Sequence, residues 1–140
     1  MQIMIDTNVI IDVYQNRANF VAGSSKILKL SESKQIDGYI TASTITDIYY
    51  ILGRSLPSKT RVKTLVQSLL DVVILADVMA SDVVSALNFS MDDFEDALLA
   101  QCAVRLGLDY IVTRNIKDFT NSPVAAIPPE EFLVKCGEID

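Results

Sequence analysis

Ile3-Met4-Ile5-Asp6-Thr7-Asn8-Val9-Ile10-Ile11 opens the chain with an apolar run that stops at a carboxylate and resumes after two polar residues. The first run is too short for a buried helix. Its spacing predicts a strand over Gln2–Ile5, buried on both faces, and a helix starting at Thr7 or Asn8. Asp6 then stands at the strand's carboxyl end. In open α/β sheets chemistry occupies the crevice outside those ends, which makes Asp6 the first candidate for a site. Asp is also a preferred helix N-cap, and the sequence leaves both roles open.

Working outward, the first helix runs to about Tyr14, and Gln15–Asn19 reads as a polar loop. Val21–Ser33 sets Ile27, Leu28 and Leu30 among Lys26, Lys29 and Glu32, an amphipathic helix. Asp37-Gly38 marks a turn before the β-prone Tyr39-Ile40-Thr41, and a helix follows over Ile45–Leu52, ended by Gly53. Pro57-Ser58 opens a helix through Leu70, and Val72–Leu75 reads as a central strand. Ala80–Leu87 and Met91–Leu106 are helical, with Gly107 stopping the second. Tyr110–Val112 is another buried strand, Ala125–Ile127 a last short one, and Pro128-Pro129 starts a closing helix. Short apolar strands alternating with helices, without repeats or a linker, predict one domain: a three-layer α/β/α sandwich on a central, mostly parallel sheet.

Composition narrows the chemistry. There is no His among the 140 residues, so Ser-His and Cys-His nucleophile pairs, His bases and His-rich zinc sites are excluded. Cys102 and Cys136 are too few for a disulfide framework; reduced thiols in a cytoplasmic protein are expected. No stretch approaches the roughly 18 apolar residues of a membrane span. Met1 leads straight into the first strand, so no signal peptide is expected. The net charge of −6 argues against nucleic-acid binding by bulk charge. Chemistry must therefore run on carboxylates, hydroxyls, amines or a metal held by oxygen.

Two further carboxylates resemble Asp6 in placement. In Ser90–Ala100, Ser90 and Asp93 have capping-box spacing, which explains Asp92 and Asp93 structurally. Asp96 lies about a turn inside the helix, in line with Leu99, Ala100 and Ala103, where an unpaired carboxylate is costly. A surface Asp at a helix start is the competing reading. Asp47 likewise follows a strand and sits one turn into an apolar helix, with Ser43 or Thr44 the better cap. Strand Tyr110–Val112 ends at Thr113-Arg114-Asn115, with Asp118 three residues on; in a parallel sheet Asn115 emerges at the edge that carries Asp6. Turn and capping roles serve Asn115 and Asp118 equally well.

Asp6, Asp47 and Asp96 can thus meet at one edge, where like charges repel unless a cation lies between them. Oxygen ligands without His or thiolate select Mg²⁺ or Mn²⁺, and such sites serve phosphodiester hydrolysis. From Ile48 to Leu70 there is no acid, while Arg54, Lys59, Arg61 and Lys63 fall close together. That is a solvated face, or a place to hold a phosphate backbone. Arg114, beside the acidic edge, is a candidate for direct phosphate contact.

Four motifs in order carry a resemblance: Ile5-Asp6-Thr7-Asn8-Val9, Ser43-Thr44-Ile45-Thr46-Asp47-Ile48, Asp93-Phe94-Glu95-Asp96-Ala97-Leu98, and Ile111-Val112-Thr113-Arg114-Asn115-Ile116-Lys117-Asp118-Phe119. With them the chain resembles PIN-domain proteins, the family that includes VapC-type toxin ribonucleases and RNA-processing nucleases. Pro128–Leu133 is similar to the closing helix of one bacterial subgroup. The resemblance implies divalent-metal-dependent cleavage of single-stranded RNA, with Asp6, Asp47 and Asp96 in the first three acidic positions. Asp47 stands where Glu is commoner. The fourth position falls near the amide Asn115, with Asp93 or Asp118 as substitutes. Thr7 or Thr113 orients ligands or phosphate, and Asn8, Arg114, Asn115 and Arg54 complete the expected substrate contacts. An antitoxin protein and a homodimer are partners implied by the resemblance alone.

The expectation is a cytoplasmic metal-dependent endoribonuclease, the toxin half of a toxin–antitoxin pair. Its rival is a catalytically weak RNA- or protein-binding module on the same fold, favoured by Asp47 and Asn115. A phospho-acceptor receiver domain would want an acidic pair after the first strand, and this chain has one Asp followed by Thr7-Asn8.

Overall fold

A computed structural model describes residues 1–138. Strand β1 (Gln2–Ile5) lies at the centre of a five-stranded sheet whose order is β3 (Ile74–Ala76), β2 (Asp37–Thr41), β1, β4 (Tyr110–Val112), β5 (Ala126–Ile127). Every pairing is parallel, with Met4 opposite Tyr39 on one side and Ile111 on the other. Between these strands run α1 (Thr7–Tyr14), α2 (Val21–Glu32), α3 (Ala42–Ser55), α4 (Lys59–Leu70), α5 (Ala80–Ala86) and α6 (Phe94–Leu106), and α7 (Pro129–Lys135) follows β5. A turn of 3₁₀ helix spans Ile116–Phe119.

The pleat of β1 explains the three layers. Ile3 and Ile5 point to one face, where they join Ile10, Ile27, Ile48, Leu69 and Phe132 from α1, α2, α3, α4 and α7. Met4 points to the other, against Leu99, Ala100 and Ala103 of α6. Neighbouring strands repeat the division, with Ile40 and Val112 on the first face and Ile111 on the second. The chain travels outward through β2 and β3, then returns to β4 on the far side of β1. Crossovers of a single hand therefore deposit α1 to α4 on one face and α5 and α6 on the other. The strand order reverses beside β1, which puts the crevice of the fold between the carboxyl ends of β1 and β4.

The three-layer architecture predicted from the sequence is the one observed. Four local expectations are corrected. Val72–Leu75 is not a central strand: β3 is a three-residue edge strand, and Ile74 and Leu75 are 43% and 47% exposed. An unbroken apolar run reads alike in either position. Gly53 does not end α3, which continues to Ser55; Pro57 forces Leu56 into an extended conformation and stops the helix there. The Met91–Leu106 helix begins only at Phe94, because Asp93 itself is the cap and accepts from the Asp96 N–H at 3.0 Å. The Ser90–Asp93 capping box is accordingly not formed. Gly38 is part of β2 rather than a turn before it.

Gly38 is required by a close approach. A Cβ there would stand 2.6 Å from Ser31 Oγ and 2.9 Å from Ile5 Cδ1. The Ser31 hydroxyl cannot step aside freely, since it donates to the Val72 carbonyl at 2.7 Å and ties α2 to the approach to β3. Gly38→Val should lower unfolding free energy by about 1–3 kcal/mol through overpacking, read by urea denaturation.

Candidate active site at the carboxyl edge of the sheet

Asp6 is fixed from both sides of the β1–β4 junction. Its N–H donates to the Val112 carbonyl at 3.0 Å, extending the ladder one residue beyond β1. Its extended backbone makes it the N-cap of α1, and Oδ1 accepts from the Thr7 N–H at 2.8 Å. Oδ2 accepts from the Thr113 hydroxyl at 2.8 Å and from the Asn8 amide at 3.2 Å. Asn8 also donates to Thr113 Oγ1 at 3.2 Å, and its Oδ1 accepts the Arg114 N–H at 3.3 Å. The Asn115 N–H donates to Thr113 Oγ1 at 3.0 Å. The two readings of Asp6 left open by the sequence are compatible: it caps α1 and faces the crevice.

That crevice holds a cavity of about 410 Å³ whose wall includes the carboxylates of Asp6, Asp47, Glu95, Asp96 and Asp118. Thr7, Asn8, Ser43 and Asn115 supply neutral polar groups, and Ile11, Ile51 and Leu99 the apolar floor. Among the described residues the ion pairs join Arg17 and Arg114 to Asp12, and Arg105 to Asp82, so none includes a cavity carboxylate. The charges consequently act on one another. Burial, then the charges of Asp6, Asp93 and Asp118, push Asp96 up to about 7. Glu95 rises to about 7 through a hydrogen bond shared with Asp47, with burial and the charges of Asp47, Asp93 and Asp96 adding to it. Burial also raises Asp6, with Asp118 adding; the bonds from Thr113 and Thr7 and the charge of Arg114 offset this only in part.

Of the residues singled out in the sequence, Asp6, Thr7, Asn8, Asp47, Asp96, Asn115 and Asp118 line this cavity. Thr113 is buried beneath it as a hydroxyl donor to Asp6. Asp93 caps α6 and borders a separate hollow with Asp92, Lys117 and Asp118; it accepts the Asp96 N–H, and its charge acts on the Asp96 carboxyl. Arg54 lies outside the wall with its guanidinium 5.8 Å from the ring centroid of Tyr50, which does line it. Arg114, expected to contact phosphate directly, has its side chain engaged within the protein. Its guanidinium grips buried Asp12 at 2.6 and 3.0 Å and stacks 4.0 Å from the Phe20 ring centroid.

Donor chemistry and uncompensated charge both fit a hard dication. The spacing is open, however: among the described residues no three acid or thiol side chains form a ready-made ligand group. Sequence reasoning missed Glu95, which looked like an ordinary first-turn acid of α6, and Arg17, an unremarked member of a polar loop. It also missed Asp12, whose partner is 102 positions away.

A sequence model described as PIN domain matches residues 2–117. No curated protein matches by sequence. Among solved structures, a chain of the Rickettsia felis VapBC2 complex bound to a promoter DNA fragment superposes with TM-score 0.70 and 17% identity, over 91% of this chain and 98% of that one. The DNA-bound VapBC of Salmonella typhimurium gives TM-score 0.71 and 17% identity, over 92% and 98%. VapC20 of Mycobacterium tuberculosis, a toxin that cleaves the sarcin–ricin loop, gives 0.61 and 15%, over 78% and 86%. At these identities the likeness is one of fold.

Two measurements check this electrostatic account. Carboxyls that titrate near 4 when unfolded and about 7 when folded stabilise the fold while protonated, so their contribution is lost as pH rises through the folded value. In chelator, the melting temperature should fall between about pH 5 and pH 8, and Asp96→Asn should flatten that fall. Arg114→Gln leaves buried Asp12 with the Ser24 hydroxyl at 3.3 Å and the 3.6 Å contact from Arg17, and should cost on the order of 3 kcal/mol by chemical denaturation.

Proposed function

This chain belongs to the PIN-domain family, and from that membership we propose that it is an endoribonuclease hydrolysing phosphodiester bonds of single-stranded RNA with Mg²⁺ or Mn²⁺. The observation that carries the reading is the gathering of five carboxylates on one cavity wall without a basic ion-pair partner. A hard divalent cation supplies charge neutralisation and water activation in such surroundings. Asp6, Asp47 and Asp96 would hold it, with Asp118 on the same wall.

The chain's own groups have separable tasks. Thr113 and Asn8 both donate to Asp6 Oδ2, which fixes the orientation of its carboxylate at the cavity wall. Asp47 and Glu95 share a hydrogen bond, and a carboxyl held at about 7 can take up or release a proton at neutral pH. Glu95 is thus suited to accept the proton of a water attacking phosphorus and to return it to the ribose oxygen as the bond from that oxygen to phosphorus breaks. Ser43 and Asn115 are neutral donors along the path of the strand.

Likeness to chains of VapBC complexes supports the further reading that this is the toxin half of a toxin–antitoxin pair, with an antitoxin protein as partner. The sarcin–ricin-loop cleavage by VapC20 supports RNA as substrate class. A homodimer and a cytoplasmic location complete the proposal; no helix among the described residues is long and apolar enough to cross a membrane. A binding module with little turnover is the second reading. The open spacing of the acids and the engagement of Asp47 by Glu95 favour it.

Asp6→Asn and Asp96→Asn should each abolish Mn²⁺-dependent cleavage of mixed single-stranded RNA with circular dichroism unchanged; full cleavage by both refutes the site. Calorimetric titration of Mn²⁺ separates the two readings. Saturable binding together with turnover supports the nuclease, whereas RNA binding without turnover supports the module.

A further inference from the structure

Five acids line the cavity, and Arg17 is the one cation among the lining residues. Its position is built rather than incidental. The Arg17 N–H donates to the Asp12 carbonyl at 3.0 Å, and its own carbonyl accepts from Phe20 and Val21 at 3.0 and 2.8 Å, which anchors the backbone between α1 and α2. The side chain is held more loosely. Nη2 donates to Gln15 Oε1 at 3.0 Å, and Nη1 stands 3.6 Å from Asp12 Oδ1, with the side chain 42% exposed.

Charge counting around Asp12 shows what is left over. Its carboxylate is fully buried and already holds three hydrogen bonds: Oδ2 accepts Arg114 Nε at 2.6 Å and Ser24 Oγ at 3.3 Å, and Oδ1 accepts Arg114 Nη2 at 3.0 Å. One negative charge therefore faces two guanidinium groups, and the bidentate bond assigns it to Arg114. The surplus positive charge resides on Arg17, at the wall of the cavity. We propose that Arg17 is the phosphate-binding residue of this site, taking a non-bridging oxygen of the RNA backbone, while Asp12 and Arg114 act as its positioning residues. This rests on the reading of the protein as an RNA-cleaving enzyme. It also explains why Arg114, nearer in sequence to the acidic edge, is not that residue. A phosphodiester entering a cavity of carboxylates needs one cation directed at it, and Arg17 supplies that charge without neutralising the acids.

The test is binding of a short unstructured RNA by fluorescence anisotropy over a salt series in Ca²⁺, with cleavage kinetics in Mn²⁺. Arg17→Gln should lower the slope of log K against log salt by about 0.7, the loss of one phosphate contact on a single strand. Affinity should fall roughly tenfold, the size of one charge-assisted hydrogen bond, and KM should rise while kcat stays within a few-fold. Arg17→Lys should keep the slope. Because the contact to Asp12 is long, its Arg17 side is exposed and Arg114 already pairs Asp12, melting temperature should hardly change, which separates lost binding from lost fold. An unchanged slope in Arg17→Gln, with the wild type binding and cutting RNA, overturns the Arg17 assignment alone. So does a slope in Arg17→Lys as low as in Arg17→Gln. A wild type that neither binds nor cuts overturns the RNA reading and this assignment together.

Discussion

The parallel pairing of β1 with β4, set by Ile5 opposite Val112, is the constraint on which the site depends. It brings the residues just past each strand side by side, so that the Asp6 N–H finds the Val112 carbonyl and the Thr113 hydroxyl finds Asp6 Oδ2. A slip of one residue would send Asp6 (after β1) or Thr113 (after β4) to the opposite face and break both bonds. The register is secured by the core rather than by the polar groups. Ile3 and Ile5 on one face and Met4 on the other are fully buried, so both layers pack against β1 in this register.

Buried or half-buried carboxylates are treated in two ways. Asp12 and Asp82 are compensated. Burial alone would raise Asp82, but Arg105 at 2.9 and 3.0 Å, the Met79 N–H and Gln101 hold it below its ordinary value. The same carboxylate, with burial, pushes the neighbouring Cys102 thiol up to about 11, which leaves that cysteine inert. Among the described residues the cavity acids have no arginine or lysine ion-pair partner, and their charges raise one another instead. The protein thus has arginines enough to neutralise carboxylates where structure requires it, and places none in bonding contact with those at the crevice. Electrostatic stress concentrated at one edge of an otherwise satisfied fold is a mark of a functional site.

The fold was legible in the sequence because period and punctuation are local. Apolar triplets and quartets separated by helical stretches specify strands, helices and three layers without distant information. Errors fell where a local pattern has two meanings. Val72–Leu75 is apolar whether a strand is central or at an edge, and Gly53 ends a helix only if its surroundings demand a left-handed turn, which they do not. Asp93 and Ser90 are both good caps, and Asp93 takes the role by accepting the Asp96 N–H.

Asp6, Asp47 and Asp96 could be picked out because each is an acid that follows a strand or opens an apolar helix, a conflict visible within ten residues. The sequence by itself therefore determined the architecture and which acids are anomalous. Only the tertiary structure decided which charges meet. Glu95 bonding Asp47, Arg114 being taken by Asp12 and Arg17 being left at the cavity wall are contacts between segments distant in the chain or between side chains on different elements. Hydrophobic periodicity is written along the chain, whereas pairing of charges depends on distances that exist only once the sheet has set its register.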